Sequence, residues 1–185
     1  MKTLPLIVAF ACLSTPLAAS EEAYLAYVRE NAPALLSSPV VQAAVRDSNT
    51  AHALISDSDI GALDGQWEAQ LGAPEQPLIA AIVSNAASER LRSFITETGE
   101  TVAEVILMDN RGLNAAASAP TSDFWQGDED KFQKTFLVGP NAAHVSDVEL
   151  DESTGIYVVQ VSVPVVDATG GLIGAATFSL DAERF

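Results

Sequence analysis

Apolar residues along this chain follow two different periods. Up to about residue 99 they recur at three- and four-residue spacing, and beyond it they fall in short β-branched runs. Glu21 to Asn31 is a short amphipathic segment with Tyr24, Leu25 and Val28 apolar, and Pro33 interrupts it. Ser38-Pro39 predicts a helix start, a capping hydroxyl followed by a proline whose missing N–H costs nothing at the first position. Val41, Val45, Ser48, His52 and Ile55 follow at helical spacing, which makes His52 a partly buried structural histidine before it is a ligand or base. Ser56 to Asp59 caps another helix, with the stripe Ile60, Leu63, Trp67 and Leu71 closed by Gly72. Asp57, Asp59, Asp64 and Glu68 imitate the spacing of a calcium loop. Ala62, however, stands where that loop needs glycine, and capping explains the acids better. A Pro-containing linker spans residues 73–77. Leu78 to about Thr98 reads as one helical run, apolar at Ile79, Ile82, Val83, Leu91, Phe94 and Ile95 and ended by Gly99.

In the second half, Thr101 to Asp109 predicts a buried strand, Asn110-Arg111-Gly112 a tight turn, and Leu113 to Ala119 a returning strand stopped by Pro120. Residues 123–136 predict a short helix or structured loop. Strands are predicted near 143–150, over 156–165 and over 172–181, with turns at 151–155 and 167–171, and the last two form an antiparallel pair. Alternation there sets Tyr157, Val159, Val161 and Val163 on one face and Gln160 and Ser162 on the other. The last strand sets Leu172, Ala176, Phe178 and Leu180 against Thr177, Ser179 and Asp181. These two polar rows fit either a solvent-facing sheet or the floor of a pocket. Helices followed by strands, with no βαβ alternation, make the fold α+β.

The stretch VILMDNRGLNAAAS followed by DFWQGDEDKFQ, the upstream IGALDGQW and the tail STGIYVVQVSVPVVDATGGLIGAATFSLD resemble the Cache domains, PAS-like extracytoplasmic sensor modules of bacterial signalling proteins. The resemblance covers roughly residues 38–181 and is closest to small secreted single-domain members. It implies one Cache-type domain over residues 21–185. A helical part, 21–99, would pack on a five-stranded antiparallel PAS-like sheet, 100–185. It also implies a pocket on the concave sheet face, closed by the segment after the second strand.

Composition narrows the setting. Lys2 opens a basic start, Leu4 to Leu17 is apolar, and Ala18-Ala19-Ser20 offers a cleavage site, so residues 1–20 read as a secretory signal peptide and the protein as periplasmic or secreted. Cys12, the only cysteine, lies inside that signal, so the mature chain would carry no thiol chemistry. Cleavage takes away one lysine and no acid, moving the net charge from −16 to −17. Such a charge excludes nucleic acid and disfavours anionic membrane surfaces. No second apolar run follows, so no membrane insertion is expected after cleavage.

The expected function is binding or sensing a small extracytoplasmic molecule, an amine, amino acid or other small metabolite. The resemblance implies that Trp125 roofs the pocket, with Gln126, Asp128 and Lys131 beside it. Met108 and Ser118 would come from the opening hairpin, and Gln160, Ser162, Thr177, Ser179 and Asp181 from the closing strands. In amino-acid-binding members of the family an arginine takes the ligand carboxylate. Here Asp123 precedes Phe124-Trp125 and no arginine stands there, so Asp123, Asp128 and Asp181 suit an amine or other cation, with Lys131 or Lys134 as substitutes for the arginine. No G-x-S-x-G, HExxH or phosphate loop occurs, and with two histidines and no mature cysteine neither catalysis nor a metal or other cofactor is expected. Signalling would require a separate membrane-bound partner. The alternative reading is a protein-interaction module that binds no ligand, with the helices forming a homodimer or partner surface.

Overall fold

A computed structural model describes residues 20–151 and 155–185; the signal read over residues 1–20 lies, apart from Ser20, outside the described residues. Six helices come first: α1 Glu21–Asn31, α2 Pro33–Leu36, α3 Pro39–Ala51, α4 Asp57–Gln70, α5 Pro77–Val83 and α6 Ala86–Glu97. The remainder runs β1 Val102–Met108, β2 Asn114–Ala117, α7 Asp130–Gln133, β3 His144–Asp151, β4 Ile156–Val166 and β5 Leu172–Asp181, and a 3₁₀ turn, Ala182–Arg184, follows β5.

Local chemistry explains most of these boundaries. At α4 the Ser56 hydroxyl accepts from Asp59 N while the Asp59 carboxylate accepts from Ser56 N, a capping box. The run expected over 78–98 is two helices, because the Asn85 side chain accepts from Ser88 N and starts α6 afresh. At α3 the expected capping hydroxyl does not cap: Ser38 Oγ makes no capping bond, and Pro39 alone sets the first turn. That helix stops with His52 as its C-cap, short of Ile55.

The sheet is antiparallel throughout, in the order β2-β1-β5-β4-β3. Its register fixes two faces. On one, Val105, Leu107, Val161, Phe178 and Leu180 pack against Val41, Val45, Leu91 and Phe94 of the helices, the main core. Each such aliphatic side chain contributes about 2 kcal/mol by leaving water. Strand and helix meet so closely that a Cβ on Gly174 would lie 2.2 Å from the Met108 carbonyl oxygen and 2.9 Å from Val45 Cγ1. Helices α4 and α5 build a second cluster at the β2 end, where Trp67 stacks on Phe124 at 5.4 Å. On the opposite sheet face, Phe132 of α7 covers Ile106, Met108 and Ala175.

Candidate functional site

The sheet face opposite the main core is only partly covered, by α7 and the segment before it. Residues 120–136 pass over the β1–β5 part of it, held in place by the hairpin and by α4. Gln126 N donates to Gly112 O at 2.8 Å, Asn114 N donates to Phe124 O at 3.0 Å, and the Asp64 carboxylate accepts from Phe124 N and Trp125 N, both at 2.9 Å. Gly112 has φ +80, and a Cβ there would lie 2.5 Å from Gly127 Cα, so glycine is needed for the turn and for the contact.

Between that segment and the strands lies a cavity of about 440 Å3. Its floor is Glu104 and Ile106 from β1, Ser179 from β5 and Val158 and Gln160 from β4. Glu149, Leu150 and Asp151 of β3 form one wall, and Thr121, Ser122, Gln126 and Lys131 form the other. Pairing in the ladder brings the floor together, with Glu104 opposite Ser179 and Ser179 opposite Gln160. A hydrogen-bond chain stiffens the overhanging wall. Asn114 Nδ2 donates to Thr121 Oγ1 at 2.8 Å, and Gln126 Nε2 donates to Asp123 O at 2.8 Å. Lys131 Nζ donates to Gln126 Oε1 at 2.9 Å and pairs with Glu129 at 3.0 Å. Gln126 is 1% exposed, so this wall is fixed rather than adaptable. Burial raises the pKa of Glu104, opposed by the Lys131 charge and reinforced by Asp151, while a long bond from Ser179 Oγ at 3.4 Å favours the ion.

Four of the expected residues, Gln126, Lys131, Gln160 and Ser179, line this cavity. The others lie elsewhere. Trp125 does not roof it: the ring joins the α4–α5 cluster, its N–H donates to Arg111 O at 2.8 Å, and it leaves no room for a Cβ on Gly127. Met108 is sealed beneath Phe132. Ser118 Oγ accepts from Val105 N at 3.0 Å and serves the hairpin. Ser162 and Thr177 are buried and bond one another at 2.9 Å, and neither lines the cavity. Asp128 is exposed and lines none of the cavities described. Asp181 accepts from Glu183 N and Arg184 Nε, capping the final 3₁₀ turn.

The site residues absent from the expectation are chiefly Glu104, Glu149 and Asp151. Glu104 was legible in principle, since the alternation Glu104, Ile106, Met108 against Val105 and Leu107 already marks two faces of β1. Treating Thr101 to Asp109 as uniformly buried hides it.

Two other polar clusters have structural occupations. Ser48 Oγ and His52 Nδ1 both meet Asp109 Oδ2, at 2.9 and 2.7 Å, and Ser48 meets the same Nδ1 at 3.2 Å. A triad needs its two partners on opposite ring nitrogens, so this grouping does not have that form. Among the described residues, one three-acid group, Asp64, Glu68 and Asp123, brings carboxylate oxygens within 4.8 Å of one another. Asp64 is already the anchor for the two backbone N–H groups above.

No family model and no curated protein matches this sequence. Among solved structures, the chain is similar to the sensor domain of DcuS from E. coli, with a TM-score of 0.50 and 11% identity over 89% of this chain and 92% of that one. It is also similar to the ligand-binding domain of the Campylobacter jejuni chemoreceptor Tlp3 in complex with L-valine, with a TM-score of 0.43 and 17% identity over 92% and 66% of the two chains. The ligand-binding domain of the Pseudomonas aeruginosa PAO1 amino acid chemoreceptor PctC in complex with GABA gives a TM-score of 0.43 and 19% identity over 69% and 54%. This chain spans 61% of a further Tlp3 domain, bound to 4-methylisoleucine. The fold is α+β, a layer of helices on a five-stranded antiparallel sheet, and it is shared with the DcuS sensor domain.

Proposed function

We propose that the protein is an extracytoplasmic domain that binds and senses a small molecule in the cavity beneath residues 120–131. The observation that carries this reading is the convergence of polar side chains from β1, β4, β5 and the overhanging segment on one hollow of about 440 Å3. A packed structural face would be filled with apolar side chains. A ligand site instead wants apolar walls and a few placed polar groups, here Ile106, Val158 and Leu150 beside Glu104, Gln126, Gln160 and Ser179. The fold shared with sensor domains is consistent with this reading, as is the export signal read over residues 1–20. Among the described residues no helix is long and apolar enough to cross a membrane. A membrane-bound signalling protein is the partner to which such a domain would report.

Thermal unfolding of the purified protein against amines, amino acids, carboxylates and purines tests the reading. A ligand at about one hundred times its dissociation constant adds about 2.7 kcal/mol of stability. Gln160→Trp, which fills the cavity from a half-exposed strand position, should abolish that gain while leaving the circular dichroism unchanged. Silence across the whole panel, or a gain indifferent to Gln160→Trp, would overturn it.

A further inference from the structure

Glu104 is the unusual group in the cavity. It is largely withdrawn from water, yet among the described residues it forms no ion pair, and its one hydrogen bond is the long contact from Ser179 Oγ at 3.4 Å. The cation on the cavity wall, Lys131, is already held by Glu129 at 3.0 Å and by Gln126 Oε1 at 2.9 Å. The opposite wall adds Glu149 and Asp151. A carboxylate with little access to water and no ion-pair partner is costly, and the cost is relieved either by a proton or by a cation that enters the hollow.

We propose that the cavity takes a small organic cation, an aliphatic primary ammonium without a carboxylate, and that its nitrogen docks on Glu104. The proposal rests on the reading of this cavity as a ligand site. An ammonium has three donors and no acceptor. Glu104 offers the charged acceptor, Ser179 Oγ lies beside it, and the Gln160 carboxamide, which forms no hydrogen bond among the described residues, offers a third oxygen. Ile106 and Val158 provide apolar surface for the carbon stem. A ligand carboxylate would instead meet Glu104, Glu149 and Asp151, with its one nearby lysine already paired.

The acidic lining continues past the cavity. A neighbouring hollow of about 390 Å3 shares Lys131, Glu149 and Gln160 and adds Asp130 and Asp147. Its lysine, Lys134, is taken by Asp130 at 2.7 Å, and burial, followed by the Lys134 charge, pulls the His144 pKa down. A second ammonium on the same ligand therefore finds carboxylates there as well, so a diamine gains over a monoamine.

Binding is coupled to a proton. Burial raises the Glu104 pKa, and the charged groups facing it are Lys131 from α7 and Glu149 and Asp151 from β3. An arriving ammonium favours the carboxylate, so whatever fraction of the acid is protonated releases its proton as the amine enters. Affinity climbs with pH through the raised Glu104 pKa, then levels off, and falls only as the amine itself titrates, near pH ~10.

Calorimetric titration with linear probes of one chain length, butylamine, 1,4-diaminobutane, 4-aminobutanoate and butanedioate, decides the matter. Each is run at about pH 5 and about pH 8, in buffers of differing ionisation enthalpy, on the wild type and on Glu104→Gln. The amines should bind, the diamine more tightly. Amine affinity should increase with pH with proton release, and Glu104→Gln should lose about tenfold or more together with that release. Tighter binding of 4-aminobutanoate or butanedioate, blocked by Gln160→Trp, would overturn the ammonium assignment and leave the ligand site intact. Amine binding equal in Glu104→Gln would also overturn it. Failure of all the probes would overturn it too, and the wider thermal panel then tells whether the ligand site falls with it.

Discussion

Asp109 shows how much a single residue can hold. It is fully buried, and its Oδ1 accepts from Arg111 N and Leu113 N at 2.8 and 3.0 Å, shaping the β1–β2 turn. Its Oδ2 takes Ser48 and His52 from the end of α3, tying the helical layer to the hairpin. Asp109→Ala strands several donors in a dry site at once and should cost about 3–5 kcal/mol in urea unfolding, whereas His52→Ala removes one of those partners and should cost about 1–2 kcal/mol. Equal costs would show that the carboxylate's role lies in the His52 pair alone. The helical spacing of His52 identified it as a structural histidine. Its partner lies 57 positions away, and local periodicity carries no information about such a pair.

At the scale of elements, the overhanging segment 120–136 decides where the site is. Its aromatic composition suggested a lid, and the outcome was divided: Gln126 and Lys131 face the cavity while Trp125 faces the helices. The cause is the backbone pairing of Leu113 with Trp125 and the Asp64 anchor, which turn the indole toward the α4–α5 cluster and away from the sheet. Trp125→Phe keeps most of that apolar contact and removes the N–H bond to Arg111 O. It should lower stability by about 1 kcal/mol and leave ligand affinity unchanged. A loss of affinity matching that of a cavity variant would return the tryptophan to the site. The division of the 78–98 run into α5 and α6 follows a rule readable in sequence, an asparagine cap, which the continuous apolar stripe on both sides of it masks.

For the whole molecule, the cavity and the acidic charge meet in the pH dependence. Burial raises the Glu104 pKa above its ordinary 4.5, so the folded state holds that proton more tightly than the unfolded chain does. Stability attributable to this group is therefore full below the ordinary value and is lost as pH rises toward and through the raised one. Glu104→Gln should match the wild type in acid, then become the more stable protein as pH climbs toward neutrality. Urea unfolding across that range checks it, and a constant gap at every pH would refute the burial argument. A net charge of −16 adds repulsion that salt screens, so the comparison belongs at fixed ionic strength.

The sequence by itself determined the order of helices and strands, the antiparallel tail and the choice of face for Gln160 and Ser179, because these follow from periods of 3.6 and 2 along a local stretch. It did not place Glu104 opposite Ser179, set Glu149 and Asp151 across from Lys131, or turn Trp125 out of the pocket. Those are matters of strand order and register between segments as many as 75 residues apart, and the cavity exists only where those segments meet.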